Sequence, residues 1–240
     1  MRRPVLSIML KWLVFPILML TARAADPFEQ WDRQPAEAWR DAFALTAGAW
    51  GGKVFGGTSL ERIVMFHRSP GFDSMSPRVE TVVMNWLNDE PVKGHRRSLD
   101  RFTGIVTTSF ERNGARITES VFLSNAESLM VVHLQADKPG ALNFRVCLLS
   151  NAYRIKDRRE LDSRGLRVWV LPFESDVAPD GEGLVVRGEG EALILLAAGH
   201  RQQLDHRFQA LGLKYDGRDE FPDLTKLWSG LLKMQKTATD

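Results

Sequence analysis

The chain has 240 residues, a formal net charge of +2, and 44% hydrophobic and 26% charged residues. That length allows one large domain or two small ones, with a core that needs no covalent staples. The composition is that of an ordinary globular protein and excludes disorder, and a single cysteine, Cys147, excludes an intramolecular disulfide.

In chain order, the first 24 residues read as a secretory signal peptide. "MRRPVLSIMLK" is a basic leader, "WLVFPILML" is an apolar run, and "TARA" ends in the Ala-x-Ala of Ala22 and Ala24. A retained membrane anchor is the competing reading, but Lys11 interrupts the run and Pro16 sits inside it, which leaves it short for a span. Cleavage after Ala24 removes Arg2, Arg3, Lys11 and Arg23 and no acid, and so turns the net charge of +2 into −2. The apparent basicity belongs to the leader, and the mature chain carries no signal for nucleic acid. Periplasmic or extracellular localisation follows, with no stable membrane span after cleavage.

The next run, "PAEAWRDAFAL", predicts a short one-sided helix, with Pro35 at its start and Trp39 and Phe43 four residues apart. "GAWGGKVFGG" follows. It lacks the Gly-x-x-x-x-Gly-Lys-Ser/Thr pattern of a phosphate loop, so its glycines are expected to serve tight turns and close backbone approach.

From Gly104 onward the chain predicts successive strands: "GIVTTSFE", "ARITESVF", "LMVVHLQA", "ALNFRVCLL", "GLRVWVL", "GLVVRG" and "EALILLAA". They are rich in β-branched and aromatic residues and are parted by "RNGA", "DKPG", "DSRG" and "APDGEG". Asn113-Gly114 is a two-residue hairpin signal, because both residues tolerate positive φ. It sets Arg112 opposite Ala115, Glu111 opposite Arg116, Phe110 opposite Ile117, Ser109 opposite Thr118, Thr108 opposite Glu119 and Val106 opposite Val121. No helical periodicity is interleaved, which disfavours a parallel βαβ sheet and favours an antiparallel sandwich. The last element, "DLTKLWSGLLKMQK", places Leu224, Leu227, Trp228, Leu231 and Leu232 on one helical face, with Asp223 as N-cap after Pro222. The fold class is therefore mainly β: an antiparallel β-sandwich with a short N-terminal helix turn and a C-terminal amphipathic helix. Its boundaries are residues 1–24 for the signal peptide, 25–215 for the sandwich, and 216–240 for a polar linker and the helix. The linker "GLKYDGRDEFP" looks long enough to let the helix swing onto a partner or a second copy.

Chemistry-bearing residues are sparse. Cys147 lies in the apolar run "FRVCLLS", far in sequence from any histidine, and reads as a buried inert thiol. His67, His95, His133, His200 and His206 form no His-x-x-x-His pair; "GHRQQLDH" is more simply a solvated loop than a metal site, and no metal or cofactor is expected. No Gly-x-Ser-x-Gly elbow occurs. The acids cluster in turns and nominate no pair for glycoside hydrolysis. Aromatic faces with polar neighbours remain, the kind of surface that takes the apolar face and polar rim of a sugar. Trp31, Trp39, Trp50 and Trp86 fall in the first third of the chain. Core burial is the ordinary reading for each, and Trp50, in the Gly-rich loop, is the best candidate for an exposed platform.

The opening stretch resembles the N-terminal domain of glycoside hydrolase family 95, the inverting α-L-fucosidases. The residues are Trp31, Pro35-Ala36, Trp39, Gly48, Gly51, Val54-Phe55-Gly56-Gly57 and Glu61-Arg62-Ile63, followed by the block from His95 to Phe144 and by "DGEGLVVRG". The resemblance spans about residues 31–199 and implies a β-sandwich (supersandwich-like) that precedes an (α/α)6 barrel. In that family the barrel carries the catalytic acid, and this chain ends about forty residues after its last matching strand, so no catalytic residue is carried over. The family's Gly-Asn-Gly-Arg loop reads "TAGA" here, the segment after "ERI" reads "VMFHRSP", and the usual helical insertion is reduced to "GFDSMSPRVETVVMNWLNDEPVKG". These are the parts expected to face a barrel and its substrate. Trp50, His67 and Arg68 are accordingly the substrate-binding candidates.

Three functions remain open on the sequence. The chain is an exported non-catalytic module that binds glycan or assists glycan degradation; it is a truncated or split α-L-fucosidase with a separate catalytic barrel protein as partner; or it is a structural protein without sugar affinity, with Leu224, Leu227, Trp228, Leu231 and Leu232 as an oligomer contact.

Overall fold

The structure, a computed structural model, describes residues 28–68, 79–124, 129–149, 153–156, 159–163, 166–174, 177–198, 206, 209, 211 and 223–237. The signal-peptide reading, His200, Asp205 and Pro222 lie outside the described residues.

Two antiparallel sheets face each other. The nine-stranded sheet runs, in spatial order, β1 (Glu29–Asp32), β6 (Val92–Asp100), β7 (Ile105–Arg112), β8 (Ala115–Ser124), β9 (Leu129–Ala136), β16 (Glu191–Ala198), β13 (Leu166–Pro172), β12 (Glu160–Asp162) and β11 (Arg154–Ile155). The seven-stranded sheet runs β14 (Val177–Pro179), β15 (Leu184–Glu189), β10 (Leu142–Leu148), β5 (Val79–Trp86), β4 (Leu60–His67), β3 (Trp50–Val54) and β2 (Phe43–Ala47). The α-helix α1 (Leu224–Thr237) follows them.

The Asn113-Gly114 hairpin has the register that its turn chemistry predicts, rung by rung from Arg112↔Ala115 to Val106↔Val121. Asn113 and Gly114 have φ of 51° and 70°, the positive values that such a turn requires. Period-two alternation then divides the faces. Val106 and Phe110 on β7, and Ile117 and Val121 on β8, point into the space between the sheets. They meet Ile63, Met84, Phe144 and Val146 of the opposite sheet.

The nine-stranded sheet is apolar on its outer face as well. Phe122, Val131, Trp169, Leu171, Leu193 and Leu195 form a second cluster there, and Leu231 of α1 is buried in it. Strand β9 is therefore covered on both sides, which is why "LMVVHL" reads as a continuous apolar run. Leu224, Leu227 and Trp228 rest on the same cluster, and the Trp228 ring stacks on His133 at 4.0 Å and lies 6.0 Å from Phe122. Four of the five apolar residues of the helix face thus rest on the chain's own sheet. The cap is as expected: the backbone N–H of Lys226 donates to Asp223 Oδ1 at 3.1 Å.

Two local expectations are corrected. The "PAEAWRDAFAL" run forms only a 3-10 turn, Trp39–Asp41, and then the strand β2. The buried–exposed alternation of "FALTA" and its pairing with β3 outweigh the Trp39–Phe43 spacing. Within the stretch read as a reduced helical insertion, Val79–Trp86 is the central strand β5, paired with both β4 and β10. Among the described residues no helix is long and apolar enough to cross a membrane.

Candidate functional site

A cleft opens where the first strands of the two sheets lie near one another, and it has a volume of about 850 Å3. One wall is Trp31 on β1, with Leu99 and Arg101 at the end of β6. The other is Phe43 and Ala44 on β2 with Lys53 on β3, and the 34–42 segment closes the end. Trp31 is exposed because β1 is an edge strand, paired only with β6 (Trp31↔Ser98, Asp32↔Arg97). The ring is 47% exposed. The guanidinium groups of Arg96 and Arg33 lie 5.0 and 5.6 Å from its centroid. Arg96 is held in turn by Glu29 at 2.8 Å.

Arg97 shapes the cleft from below. It is only 3% exposed and stacks 4.6 Å from the Phe43 centroid. It donates to Gln34 O (2.6 Å), Asp41 O (2.8 Å) and Asp32 Oδ2 (3.0 Å). A buried guanidinium needs such partners, and here they are the backbone and acid of the segment that forms the cleft's rim. Gln34 N–H donates to Asp32 Oδ1, and this bond with the neighbouring Arg97 holds the Asp32 carboxyl below its usual range. Lys53 Nζ donates to Ala42 O at 2.9 Å; burial lowers its pKa, and the Asp41 charge opposes that. Arg101 donates to Gln30 Oε1 at 3.1 Å. The lining is thus one half-exposed indole, flanked by the Arg33 and Arg96 guanidinium groups, among amide, carboxylate and cationic groups, with acids and bases nearly balanced.

Trp50, His67 and Arg68 are brought together elsewhere. Trp50 and His67 are cross-strand partners of β3 and β4, with ring centroids 5.1 Å apart in an edge contact. Arg68 N–H donates to Ala49 O at 2.7 Å, and its guanidinium to Gly48 O at 3.4 Å. Trp50 is half-buried, packed against the core on one side. None of the three lines the large cleft. Trp86 is buried against Phe110 and Phe144, and Trp39 packs beside Phe66 on the outer side of the seven-stranded sheet. The Gly-rich stretch serves close approach: a Cβ on Gly51 would strike the Phe66 ring, and one on Gly52 would strike Met130.

His133 and Cys147 have structural partners. His133 Nε2 lies 2.6 Å from Glu191 Oε1. Cys147 is half-buried, near Val83 O and the Asn85 amide, and burial pushes its thiol pKa up, which disfavours the nucleophilic thiolate. Among the described residues no group of three His, Cys, Asp or Glu side chains is placed to hold a metal ion. Two acids outside the candidate set lie near enough to interact electrostatically. Glu61 on β4 and Glu119 on β8 are both buried between the sheets. Glu61 accepts the backbone N–H groups of Phe55, at 3.2 Å, and of Gly57. Burial pushes its pKa up to about 8. Burial and the Glu61 charge together raise Glu119 well above the usual carboxyl range. Neither acid lines the cleft, so the pair belongs to the core.

A family model described as "Glycosyl hydrolase family 65, N-terminal domain" matches residues 79–202, more than half of the chain. The chain belongs to this family. The number differs from the family 95 that the opening motifs resemble; the level at which the two agree is the N-terminal β-sandwich domain of a glycoside hydrolase family. The family 65 match begins at β5, so the Trp31 cleft stands largely on strands upstream of it. No curated protein matches the sequence. Among solved structures, the chain is similar to a "Putative kojibiose phosphorylase from human microbiome" at 11% identity and a TM-score of 0.44, covering 89% of this chain and 38% of that one. This family 65 N-terminal domain therefore spans well under half the length of that structure.

Proposed function

We propose that this chain is an exported, non-catalytic accessory module that holds glycan in the Trp31 cleft. The observation that carries the proposal is the half-exposed indole on the wall of a polar cleft of about 850 Å3. An indole face suits the apolar C–H face of a pyranose, and the ring's hydroxyl rim needs the amide, carboxylate and guanidinium partners that surround Trp31. Membership of a glycosyl hydrolase N-terminal family supports the same class of ligand. The basic leader, apolar run and Ala-x-Ala of the first 24 residues support export. The motif series from Trp31 to Ile63 favours fucose-bearing glycans at finer grain. Trp50, His67 and Arg68 are a secondary contact surface on this reading.

The test is a glycan-binding screen of the chain, run beside a fucosidase assay. Glycan binding that falls at least about ten-fold in Trp31→Ala, with the circular dichroism spectrum unchanged, is the expected result; ten-fold corresponds to about 1.4 kcal/mol. Binding indifferent to Trp31 would overturn the site, and turnover of a fucosyl substrate lost on mutating one carboxylate of this chain would overturn the accessory role. A second reading, service to a separately encoded catalytic barrel, is favoured by the family's description as an N-terminal domain. Fucosidase activity appearing only when such a barrel protein is added to this chain would support it.

A further inference from the structure

The Trp31 cleft does not end at Arg101. A second hollow of about 280 Å3 shares Ala44, Leu99 and Arg101 with it. Leu45, Thr46, Phe102, Thr103, Gly104 and Gln235 complete the lining, together with Leu123. We propose that the two hollows form one groove for a neutral oligosaccharide chain, with Trp31 and Phe102 as successive aromatic platforms and Arg101 as the hydrogen-bond donor between them. This rests on the glycan reading of the Trp31 cleft and extends it from a sugar to a chain.

Three observations carry it. Phe102 is 59% exposed, more than Trp31, although a large apolar ring gains nothing from water. Its turn is nevertheless tied down. Asp100 accepts the N–H groups of Phe102 (2.8 Å) and Thr103 (3.2 Å) and the Thr103 hydroxyl (2.8 Å), and Gln235 of α1 donates to Thr103 O at 2.9 Å. An exposed ring on a fixed turn is preorganised for stacking, since little freedom is lost on binding. Charge then selects the ligand. The cations of the groove, Arg40, Lys53, Arg97 and Arg101, face the acids Asp32, Glu37 and Asp41. Arg97 is bonded to Asp32, and Arg40 lies 3.7 Å from Asp41. With Arg96 held by Glu29 as well and Arg101 bonded to the neutral Gln30, a polyanion finds little unpaired charge to follow here, whereas a neutral sugar finds both donors and acceptors.

The experiment is calorimetric titration of the chain with L-fucose, 2′-fucosyllactose and a lacto-N-fucopentaose, beside malto- and cello-oligosaccharides of two to six units. In at least one series, affinity is expected to rise about ten-fold or more from the shortest member to the longest. Phe102→Ala is expected to return the longest member to the affinity of the shortest, leaving the shortest unchanged, while Trp31→Ala weakens all of them. Raising salt from 50 to 500 mM is expected to change affinity less than two-fold. Length-independent affinity, or full affinity for the longest member in Phe102→Ala, overturns the groove and leaves the Trp31 site standing. A fall of ten-fold or more with salt overturns the neutral ligand. Failure of every sugar to bind, or full binding in Trp31→Ala, overturns both readings together.

Discussion

Glu61 and Glu119 are the residues whose environment departs furthest from their chemistry. Two carboxyl groups from opposite sheets are both buried; burial raises Glu61, and burial together with the Glu61 charge raises Glu119. A carboxyl raised in the folded state binds its proton more tightly there than in the unfolded chain. Stability therefore falls as pH rises from the unfolded value of 4.5 through about 8, and the effect vanishes below both values. Glu61→Gln cannot ionise and keeps an acceptor for one of the two N–H groups, of Phe55 or of Gly57, that the two carboxylate oxygens accept. Urea midpoints measured between about pH 5 and 8.5 are expected to fall less steeply with pH in this variant. The pair is assigned wrongly if the two slopes coincide. At the same scale, Gly114→Ala puts a Cβ on a residue with φ of 70° and is expected to cost roughly 1–2 kcal/mol in urea denaturation. An unchanged midpoint would mean that the turn relaxes into another type.

The C-terminal helix is the element whose role most depends on its surroundings. Helix α1 is 14 residues long, which is marginal for an isolated helix in water. Its stability comes from Leu231, Trp228, Leu227 and Leu224 against the outer face of the nine-stranded sheet. Each large apolar side chain so buried contributes roughly 1.5–3 kcal/mol when cover is complete, and less for the half-buried members. Ending the chain after residue 222 uncovers Phe122, Val131, Trp169, Leu193 and Leu195. The truncated protein is expected to lose thermal stability and to bind a hydrophobic dye or self-associate, as seen by scanning fluorimetry and light scattering. A truncated chain with an unchanged melting temperature would mean that the helix is dispensable to the sandwich. The β7–β8 hairpin is the opposite case, since its turn and alternation specify the pairing from within.

At the scale of the whole molecule, one core runs from Phe43 on β2 to Leu196 on β16 and takes residues from both sheets. Neither sheet can bury its inner face alone. A single cooperative transition is therefore expected, with far-ultraviolet circular dichroism and tryptophan fluorescence giving one midpoint. Separated midpoints would show that one sheet, or the helix, opens by itself. The same architecture places the cleft. Strands β1 and β2 end their respective sheets, and the trough between these ends is held in shape by Arg97. A site at this junction needs residues from β1, β2, β3 and β6, none of which is complete without the others.

What the sequence determined by itself is what neighbours along the chain decide. The hairpin register at Asn113-Gly114, the main strands from Gly104 to Ala198, the apolar face of α1 and its Asp223 cap all follow from turn φ, period-two alternation and period-3.6 spacing. The strands before Gly104 were hidden. "VKGHRRSLD" is half-exposed and carries no clean alternation, and the glycines of β3 are tolerated only because Phe66 and Met130 fill the space beside them. The candidate site was legible as a class, aromatic faces among polar groups, but Trp31 could not be told from Trp50. That difference is burial: Trp50 gains the core and His67 as neighbours, while Trp31 stands on an edge strand. Tertiary structure alone also chose the sheet as the partner of α1 and brought Glu61 near Glu119. In each of these cases the deciding contacts join residues far apart in sequence, and no local pattern encodes which distant surface will exclude the water.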